Sequence, residues 1–275
     1  MGKKTFFKTT ALVAVLGSTL LGGNAMGALP QNATAIEVPA QTIQLTQEWD
    51  KIFPQSDKVE HRKVTFKNRY GLTLVGDLYV PKNAKGKLPA IAVSGPFGAV
   101  KEQTSGLYAQ TLAERGFVTI AFDGSYTGES SGSPRNVPSP EINTEDFSAA
   151  VDFLGSLDNV NRDEIGILGV CGWGGFALNA AVSDPRIKAV AVSTMYDMTR
   201  VAANGYEIKM QANADGSYDR APAQSADARY KMKLDMSNAR WETSKNGYAD
   251  LLPANNLDPK KDFTAETPKF VKEYA

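Results

Sequence analysis

Residues 169–175, which read Gly-Val-Cys-Gly-Trp-Gly-Gly, constrain the fold of this chain more than any other segment. They follow the apolar run 165–168 and precede the Ala-rich segment 176–182, whose composition favours a helix. A strand, a sharp glycine-lined turn and a helix form a nucleophile elbow, with the reactive side chain at the tip of the turn. The usual pattern is G-x-S-x-G. Here Cys171 takes the serine position, and the second glycine, Gly174, comes one residue late.

Cys171 is the only cysteine among 275 residues, so the chain cannot form an internal disulfide. A lone thiol is either buried or used, and a glycine-rich turn is a poor place to bury one. The N-terminus of a helix favours the thiolate, and its free N–H groups stabilise an oxyanion. We therefore interpret Cys171 as a nucleophile, with a buried structural thiol as the alternative.

The pattern of apolar residues predicts an α/β fold. Partial alternation over 59–67 and 72–80 predicts an antiparallel hairpin. Continuous apolar runs predict strands that are covered on both faces, at 90–93, 117–122, 165–170 and 187–194. Helices are predicted between them, at 105–115, at 147–157 and after the elbow. This alternation indicates a mostly parallel sheet with helices on both faces.

The N-terminus has the features of a secretory signal peptide. Three lysines precede the apolar stretch 11–21, and small residues follow it at 22–28. That stretch is too short to cross a bilayer comfortably. We predict cleavage after Ala25, a periplasmic or secreted mature protein and no stable membrane insertion. An uncleaved N-terminal anchor is the alternative.

Four parts follow along the chain: a signal peptide at 1–25, an N-terminal arm at 26–57, an α/β core at 58–198 and a cap-like or irregular excursion at 199–275. The chain has 30 basic and 30 acidic residues, and 42% of its residues are hydrophobic. This balance gives no support for nucleic acid as a partner, because nucleic-acid binding needs a basic excess.

Two further motifs accompany the elbow: Ser-Gly-Pro-Phe-Gly-Ala-Val-Lys-Glu-Gln at 94–103 and Phe-Asp-Gly-Ser-Tyr-Thr-Gly-Glu-Ser at 122–130. With these motifs the chain resembles the dienelactone-hydrolase-like branch of the α/β-hydrolase superfamily over about residues 59–200. The resemblance implies a Cys-His-Asp triad that cleaves esters or lactones of a small-molecule acyl substrate. It also implies that neither a metal nor an organic cofactor takes part.

The same elbow predicts an oxyanion hole. One donor is the N–H of Gly172, the residue after the nucleophile, and the second comes from the loop after strand 90–93. We expect Phe97 to supply it, with Gly98 next in line; an ordinary β-to-α turn is the alternative. Trp173 is unusual inside an elbow and either lines an acyl pocket, with Gly98, or packs under the cap.

The catalytic base is missing from the sequence. Its one histidine, His61, lies on the first strand and precedes Cys171, whereas the family order is nucleophile, acid, histidine. We therefore interpret His61 as a surface residue of that strand and not as the base. Asp197, after the sixth strand, is a candidate acid. Asp123 is interpreted as a residue that caps loop N–H groups, and Glu102 as a solvated glutamate.

No seventh or eighth strand is recognisable before Ala275, so we expect the chain to be truncated relative to the family, with its last strands missing. Without a histidine, such a hydrolase is expected to be inactive or weakly active. The alternative is a non-catalytic binding protein on a hydrolase scaffold. A dinucleotide-binding protein is disfavoured because residues 169–175 lack a clean G-x-G-x-x-G register.

Overall fold

The structure is a computed structural model that describes residues 43–197, 200, 209–221 and 225–245. The predicted signal peptide at 1–25 and the first part of the N-terminal arm lie outside the described residues. Across the described ranges, no helix combines the length and the apolar character that crossing a membrane requires.

The described residues contain strands and helices in the alternating order that the sequence predicts. The strands are β1 Val59–Lys67, β2 Thr73–Pro81, β3 Leu88–Ser94, β4 Val118–Phe122, β5 Val160–Val170, β6 Ile187–Ser193, β7 Lys209–Ala212 and β8 Tyr218–Ala221. The helices are α1 Thr104–Ala113, α2 Pro140–Ser156, α3 Trp173–Ser183 and α4 Ala226–Lys245.

Six strands form one sheet in the order β1-β2-β4-β3-β5-β6. The first two pair antiparallel, and β2 also pairs antiparallel with β4, whereas β4, β3, β5 and β6 run parallel to one another. The predicted fold class is confirmed: a mostly parallel sheet with an antiparallel hairpin at one edge. No described strand pairs with the outer edge of β6, and residues 188–192 of that strand are exposed.

Helices cover both faces of the sheet, and each face has its own apolar core. On one side Phe147 of α2 and Ala177 of α3 pack against Ile120 and Ile167. On the other side Ala109 of α1 packs with strand residues that alternate with the first set. Parallel strands buried in this way place their carboxyl ends at one edge, where β3, β4 and β5 lead into loops.

Helix α2 starts earlier than the sequence pattern predicts, at Pro140 instead of residue 147. Its N-cap is Ser139, whose side chain accepts a hydrogen bond from the N–H of Ile142 at 3.4 Å. Proline is favoured at the first helical position because the missing N–H is not needed there. The short exposed hairpin β7–β8 was not predicted; its turn uses Gly216, whose φ is +83°.

Candidate active site

Cys171 stands at the tip of the turn between β5 and α3, as predicted. Its φ is +57°, a left-handed conformation that costs a residue with a side chain about 1–3 kcal/mol. Two hydrogen bonds hold the turn: the N–H of Cys171 donates to the carbonyl of Ser193 at 2.8 Å, and its own carbonyl accepts from Gly174 at 3.0 Å. The half-buried thiol therefore stands on a strained turn next to the N-terminus of α3.

Glycines let the chain fold tightly around this turn. A Cβ at Gly169 would lie 2.5 Å from the carbonyl oxygen of Trp173 and 2.8 Å from the Cβ of Ala177, both on the helix that follows. A Cβ at Gly172 would overlap the ring of Phe97. The first contact brings strand and helix together, and the second brings the β3–α1 loop onto the elbow.

Both predicted oxyanion donors lie at this junction. Among the described residues, the N–H groups of Phe97 and Gly172 have no hydrogen-bond acceptor, and the same holds for Gly98 and Trp173, whereas those of Ala99, Cys171 and Gly174 are bonded. Phe97 is held in place because its ring also packs on Phe176 at a centroid distance of 5.5 Å. The site thus offers two uncommitted donors beside the thiol; whether they bind an oxyanion stays a prediction.

Trp173 packs in the core and also borders a cavity; its role in an acyl pocket stays a prediction, and the cap under which it could pack lies partly outside the described residues. Its side chain is 5% exposed and makes edge-to-face contacts with Phe122, Phe147 and Phe176 at centroid distances of 5.4–5.9 Å. A Cβ at Gly124 would overlap its indole ring. Its remaining surface lines a cavity of about 240 Å³ that Gly98 lines as well. Trp173 is therefore both a core residue and a cavity wall.

That cavity adjoins the elbow, because Trp173 is part of its wall. Its walls are the β3–α1 loop, the end of β4, part of the loop before α2, and Trp173. Cys171 itself does not contribute to the wall. Phe97 does, and the contact of its ring with Gly172 makes it the shared boundary between the elbow and the cavity.

The interpretation of His61 as a surface residue is wrong. Its side chain is 5% exposed, and its Nε2 lies 2.7 Å from Oδ1 of Asp77, a buried carboxylate on β2. The reason is the N-terminal arm, which covers this strand: the indole of Trp49 packs edge-on against the imidazole at 5.2 Å. Three strands separate β1 from β5, so the imidazole is about 19 Å from the elbow across the sheet.

The interpretation of Asp123 is confirmed. Its carboxylate accepts hydrogen bonds from the backbone N–H of Lys101 at 2.8 Å and of Glu129 at 3.0 Å. The interpretation of Glu102 as solvated is wrong, because it is 1% exposed and its Oε1 lies 2.5 Å from Nζ of Lys101. Its Oε2 has no hydrogen-bond partner among the described residues.

Lys101 and Glu102 belong to a buried network of charges that sequence analysis missed. We call it the ion-pair network, and it consists of Asp50, Lys51, His61, Lys63, Asp77, Lys101, Glu102, Asp123 and Glu129. The side chains of Lys51, Lys63 and Lys101 are fully buried. A charged residue within an otherwise largely apolar strand, such as Asp77 in β2, is the signal that could have revealed it.

Burial and pairing oppose each other in this network. Burial would raise the pKa of Asp50, but hydrogen bonds from Lys51 and Lys63 hold it well below its ordinary value. Burial would lower the pKa of Lys101, but Asp123 and Glu102 raise it well above the ordinary value. For Glu102, burial and the nearby charge of Asp123 prevail and raise its pKa to about 7.

The candidate acid Asp197 follows β6 and is exposed; its Oδ1 accepts a hydrogen bond from the backbone N–H of Arg200 at 3.0 Å. Its role as a triad acid stays a prediction. Within the described ranges, no group of three or more His, Cys, Asp or Glu side chains is placed to hold a metal ion.

A protein-family model matches most of the chain. The model of the family described as X-Pro dipeptidyl-peptidase (S15 family) matches residues 71–269. This range includes the three motifs and every residue of the elbow. This family match and the order of the strands agree with the α/β-hydrolase resemblance that the motifs carry.

Related proteins include two bacterial chains without an assigned function. "Uncharacterized protein PA2218" from Pseudomonas aeruginosa is 73% identical over 165 residues, which cover 60% of this chain and 44% of that protein. "Uncharacterized protein YcjY" from Escherichia coli is 38% identical over 209 residues, 74% of this chain and 63% of that protein. The chain therefore spans about half to two thirds of these relatives' length.

Two further likenesses concern a solved structure and a named activity. The crystal structure of PA2218 matches with a TM-score of 0.67 and 59% identity, covering 76% of this chain and 61% of that one. A fungal relative, "Thiohydrolase aneE" from Aspergillus aculeatus, is 33% identical over 135 residues, 49% of this chain and 42% of that protein.

Proposed function

Because the chain belongs to the X-Pro dipeptidyl-peptidase (S15) family of α/β-hydrolase fold, we propose that it acts on acyl compounds through Cys171. The substrate class is an ester, thioester or lactone of a small molecule. The observation that carries this proposal is the pair of uncommitted N–H groups, on Phe97 and Gly172, beside a thiol held at φ +57°. Positive φ at a residue that is not glycine is stored strain, and such strain clusters at functional sites.

The chemistry follows from this placement. The thiolate of Cys171 attacks the carbonyl carbon, a C–S bond forms, and the carbonyl oxygen takes up the negative charge. The N–H groups of Phe97 and Gly172 stabilise that oxyanion, and removing one such donor typically costs about 3 kcal/mol of transition-state stabilisation. Collapse of the intermediate breaks the bond to the leaving alcohol or thiol and leaves a thioester on Cys171. Water then has to release the acyl group.

The release step needs a general base, and the only histidine of the chain does not serve it. His61 is bonded to Asp77, three strands away from the elbow. Attack on an activated ester needs no protonation of the leaving group, so the first step is less affected. We therefore propose that this chain acylates readily at Cys171 and turns over weakly.

The test is a pre-steady-state experiment with p-nitrophenyl acetate. We expect a burst of nitrophenolate equal to one per chain, followed by slow release, and a mass increase of one acetyl group on the peptide that contains Cys171. The reference is N-acetylcysteine at the same pH. Acylation of Cys171 should exceed that reference rate by at least about tenfold, since the two donors contribute only in the folded site.

Two controls separate the thiol from the fold. Cys171→Ala should abolish both the burst and the mass increase, and the same protein unfolded in urea should react no faster than N-acetylcysteine. A burst that survives Cys171→Ala would remove the thiol from the mechanism. Reaction at the rate of the free thiol would favour the second candidate, a non-catalytic binding protein, which the remote position of His61 supports.

Export and truncation remain proposals. We propose that the mature protein begins after Ala25 and is periplasmic or secreted, which N-terminal sequencing of the protein from its native host tests. We propose that the base lies on sequence beyond Ala275, supported by the unpaired outer edge of β6 within the described part of the chain. The downstream reading frame is then expected to encode an aspartate and a histidine.

A further inference from the structure

We propose that the cavity beside the elbow is an acyl-binding pocket for an uncharged, compact acyl group of about hexanoyl or benzoyl size. This inference rests on the proposed function, because it takes the acyl group to be attached at Cys171. The acyl chain would run from the sulfur past the ring of Phe97, which borders both the elbow and the cavity.

Size sets the first limit. The cavity measures about 240 Å³. One water-sized group occupies about 30 Å³ in a liquid, so the cavity holds about eight non-hydrogen atoms. This is the size of a six- to eight-atom acyl group.

Charge sets the second limit. Among the described residues, the charged ones that line the cavity are Lys101 and Asp123, and these two are paired with each other at 2.9 Å. The rest of the wall is apolar or neutral, with Phe122 and Pro138 among the apolar residues. A carboxylate, phosphate or ammonium group entering this space would lose its hydration without gaining a free counter-charge, which is strongly unfavourable.

Rigidity is the third argument, because a preformed pocket spends less binding energy on ordering its own side chains. Trp173 is fixed by three aromatic neighbours, and neither Gly95 nor Gly124 leaves room for a Cβ beside it. On the other side of the cavity, the carboxylate of Asp123 holds the β3–α1 loop and the β4–α2 loop, because it accepts hydrogen bonds from the N–H groups of Lys101 and Glu129. The shape of the cavity is therefore set before a ligand arrives.

The test measures binding without turnover, in the Cys171→Ser protein, so that it does not depend on the proposed chemistry. The probes are hexanamide and adipamate, which have the same number of carbon atoms and differ in a terminal methyl or carboxylate; because the carboxylate is also larger, adipamide serves as an uncharged control of the same size as adipamate. Saturation-transfer NMR should show saturable binding of hexanamide with a dissociation constant on the order of millimolar. Adipamate should bind at least about tenfold more weakly, because its carboxylate finds no partner in the wall.

A matched pair of substitutions locates the binding. Ala99 lines the cavity, so Ala99→Phe should fill it and weaken hexanamide binding by about tenfold or more, and Ala99→Leu by less. Ala84→Phe makes the same change on the exposed β2–β3 turn and should leave binding unchanged. Circular dichroism confirms folding of each variant, and Ala99→Leu serves if Ala99→Phe does not fold.

Each outcome has a defined meaning. Equal binding of the two probes, no binding of hexanamide, or hexanamide binding that Ala99→Leu and Ala99→Phe leave unchanged would overturn the acyl-pocket proposal. None of these results bears on acylation of Cys171, which the p-nitrophenyl acetate burst measures separately. A burst without hexanamide binding would support Cys171 as the nucleophile and reject the pocket. Hexanamide binding without a burst would support the pocket and reject Cys171 as the nucleophile.

Discussion

Asp123 and Lys101 are joined by two hydrogen bonds, one to the backbone and one to the side chain of the lysine. The N–H of Lys101 donates to Oδ1 at 2.8 Å, and Nζ donates to Oδ2 at 2.9 Å. The same carboxylate accepts the N–H of Glu129 at 3.0 Å. The side chain of Asp123, which directly follows β4, therefore holds both the β3–α1 loop and the β4–α2 loop, which line the cavity.

Replacing Lys101 should destabilise the protein strongly. Lys101→Met leaves the buried Asp123 without its cation and leaves Glu102 and Glu129 with Lys63 alone, and breaking a buried pair in this way typically costs about 3–5 kcal/mol. Urea unfolding measures the loss. The control is Lys231→Met, which removes an exposed lysine paired with Asp235 on α4 and should cost about 0.5 kcal/mol or less. Similar losses of unfolding free energy in both variants would mean that the buried ion-pair network stabilises the fold no more than an exposed ion pair does.

Glu102 should make stability depend on pH in an unusual direction. Its pKa in the folded protein is about 7, above the ordinary 4.5, so between these values the folded state holds a proton that the unfolded state has released. The stability contribution of Glu102 therefore falls as pH rises from 4.5 to 7. Glu102→Gln mimics the protonated form and lacks this penalty.

We expect the unfolding free energy of Glu102→Gln, minus that of the parent protein, to grow between pH 4.5 and 7 by up to about 3 kcal/mol and then level off. Urea unfolding across this pH range provides the measurement. A difference that stays flat from pH 4.5 to 8 would show that Glu102 titrates at its ordinary value and that its burial is compensated by Lys101.

Two glycines near the elbow should respond oppositely to alanine. A Cβ at Gly124 would overlap the indole of Trp173, whose three aromatic neighbours prevent it from moving, so Gly124→Ala should cost about 2 kcal/mol. Gly175, on α3, has nothing within 4 Å of the added Cβ, and Gly175→Ala should gain up to about 1 kcal/mol of helix propensity. Thermal unfolding of both variants measures the two changes in stability. Equal changes for Gly124→Ala and Gly175→Ala would contradict the fixed position of Trp173.

The strain at Cys171 should be measurable without any substrate. Glycine normally lowers stability relative to alanine by about 0.5–1 kcal/mol, because it loses more backbone entropy on folding. At a φ of +57° the order should be reversed, with Cys171→Gly as stable as Cys171→Ala or more stable by about 1 kcal/mol. Parallel urea unfolding of the two variants tests this. Cys171→Gly melting well below Cys171→Ala would show that the turn is not strained.

Local patterns were enough to predict the sheet. The alternation over 59–67 gives β1 with the bounds Val59–Lys67, and the apolar run at 187–194 gives β6 within one residue. Each of these signals lies inside its own element. The early start of α2 also had a local signal, Ser139 followed by Pro140, which was overlooked because the preceding residues look like a loop.

The environment of the site could not be predicted in the same way. The elbow motif is enough to predict the position of Cys171. The cavity wall and the ion-pair network depend instead on side chains that are far apart in sequence, such as Lys63 and Glu129, whose Nζ and Oε2 lie 2.8 Å apart. Glu102 and His61 were misjudged for the same reason: their burial comes from the arm and from loops that no local pattern locates. Composition cannot tell a solvated carboxylate from one whose partner comes from another strand.

The contact between the N-terminal arm and the sheet has a practical consequence for producing this protein. Asp50 lies 2.6 Å from Lys63 of β1, and Lys51 lies 2.9 Å from Asp77 of β2. A recombinant chain shortened to begin at Val59 would keep every strand of the sheet and still lose an anion and a cation from its interior. The shortest version worth expressing therefore starts at or before Trp49, even though those residues look like a dispensable leader.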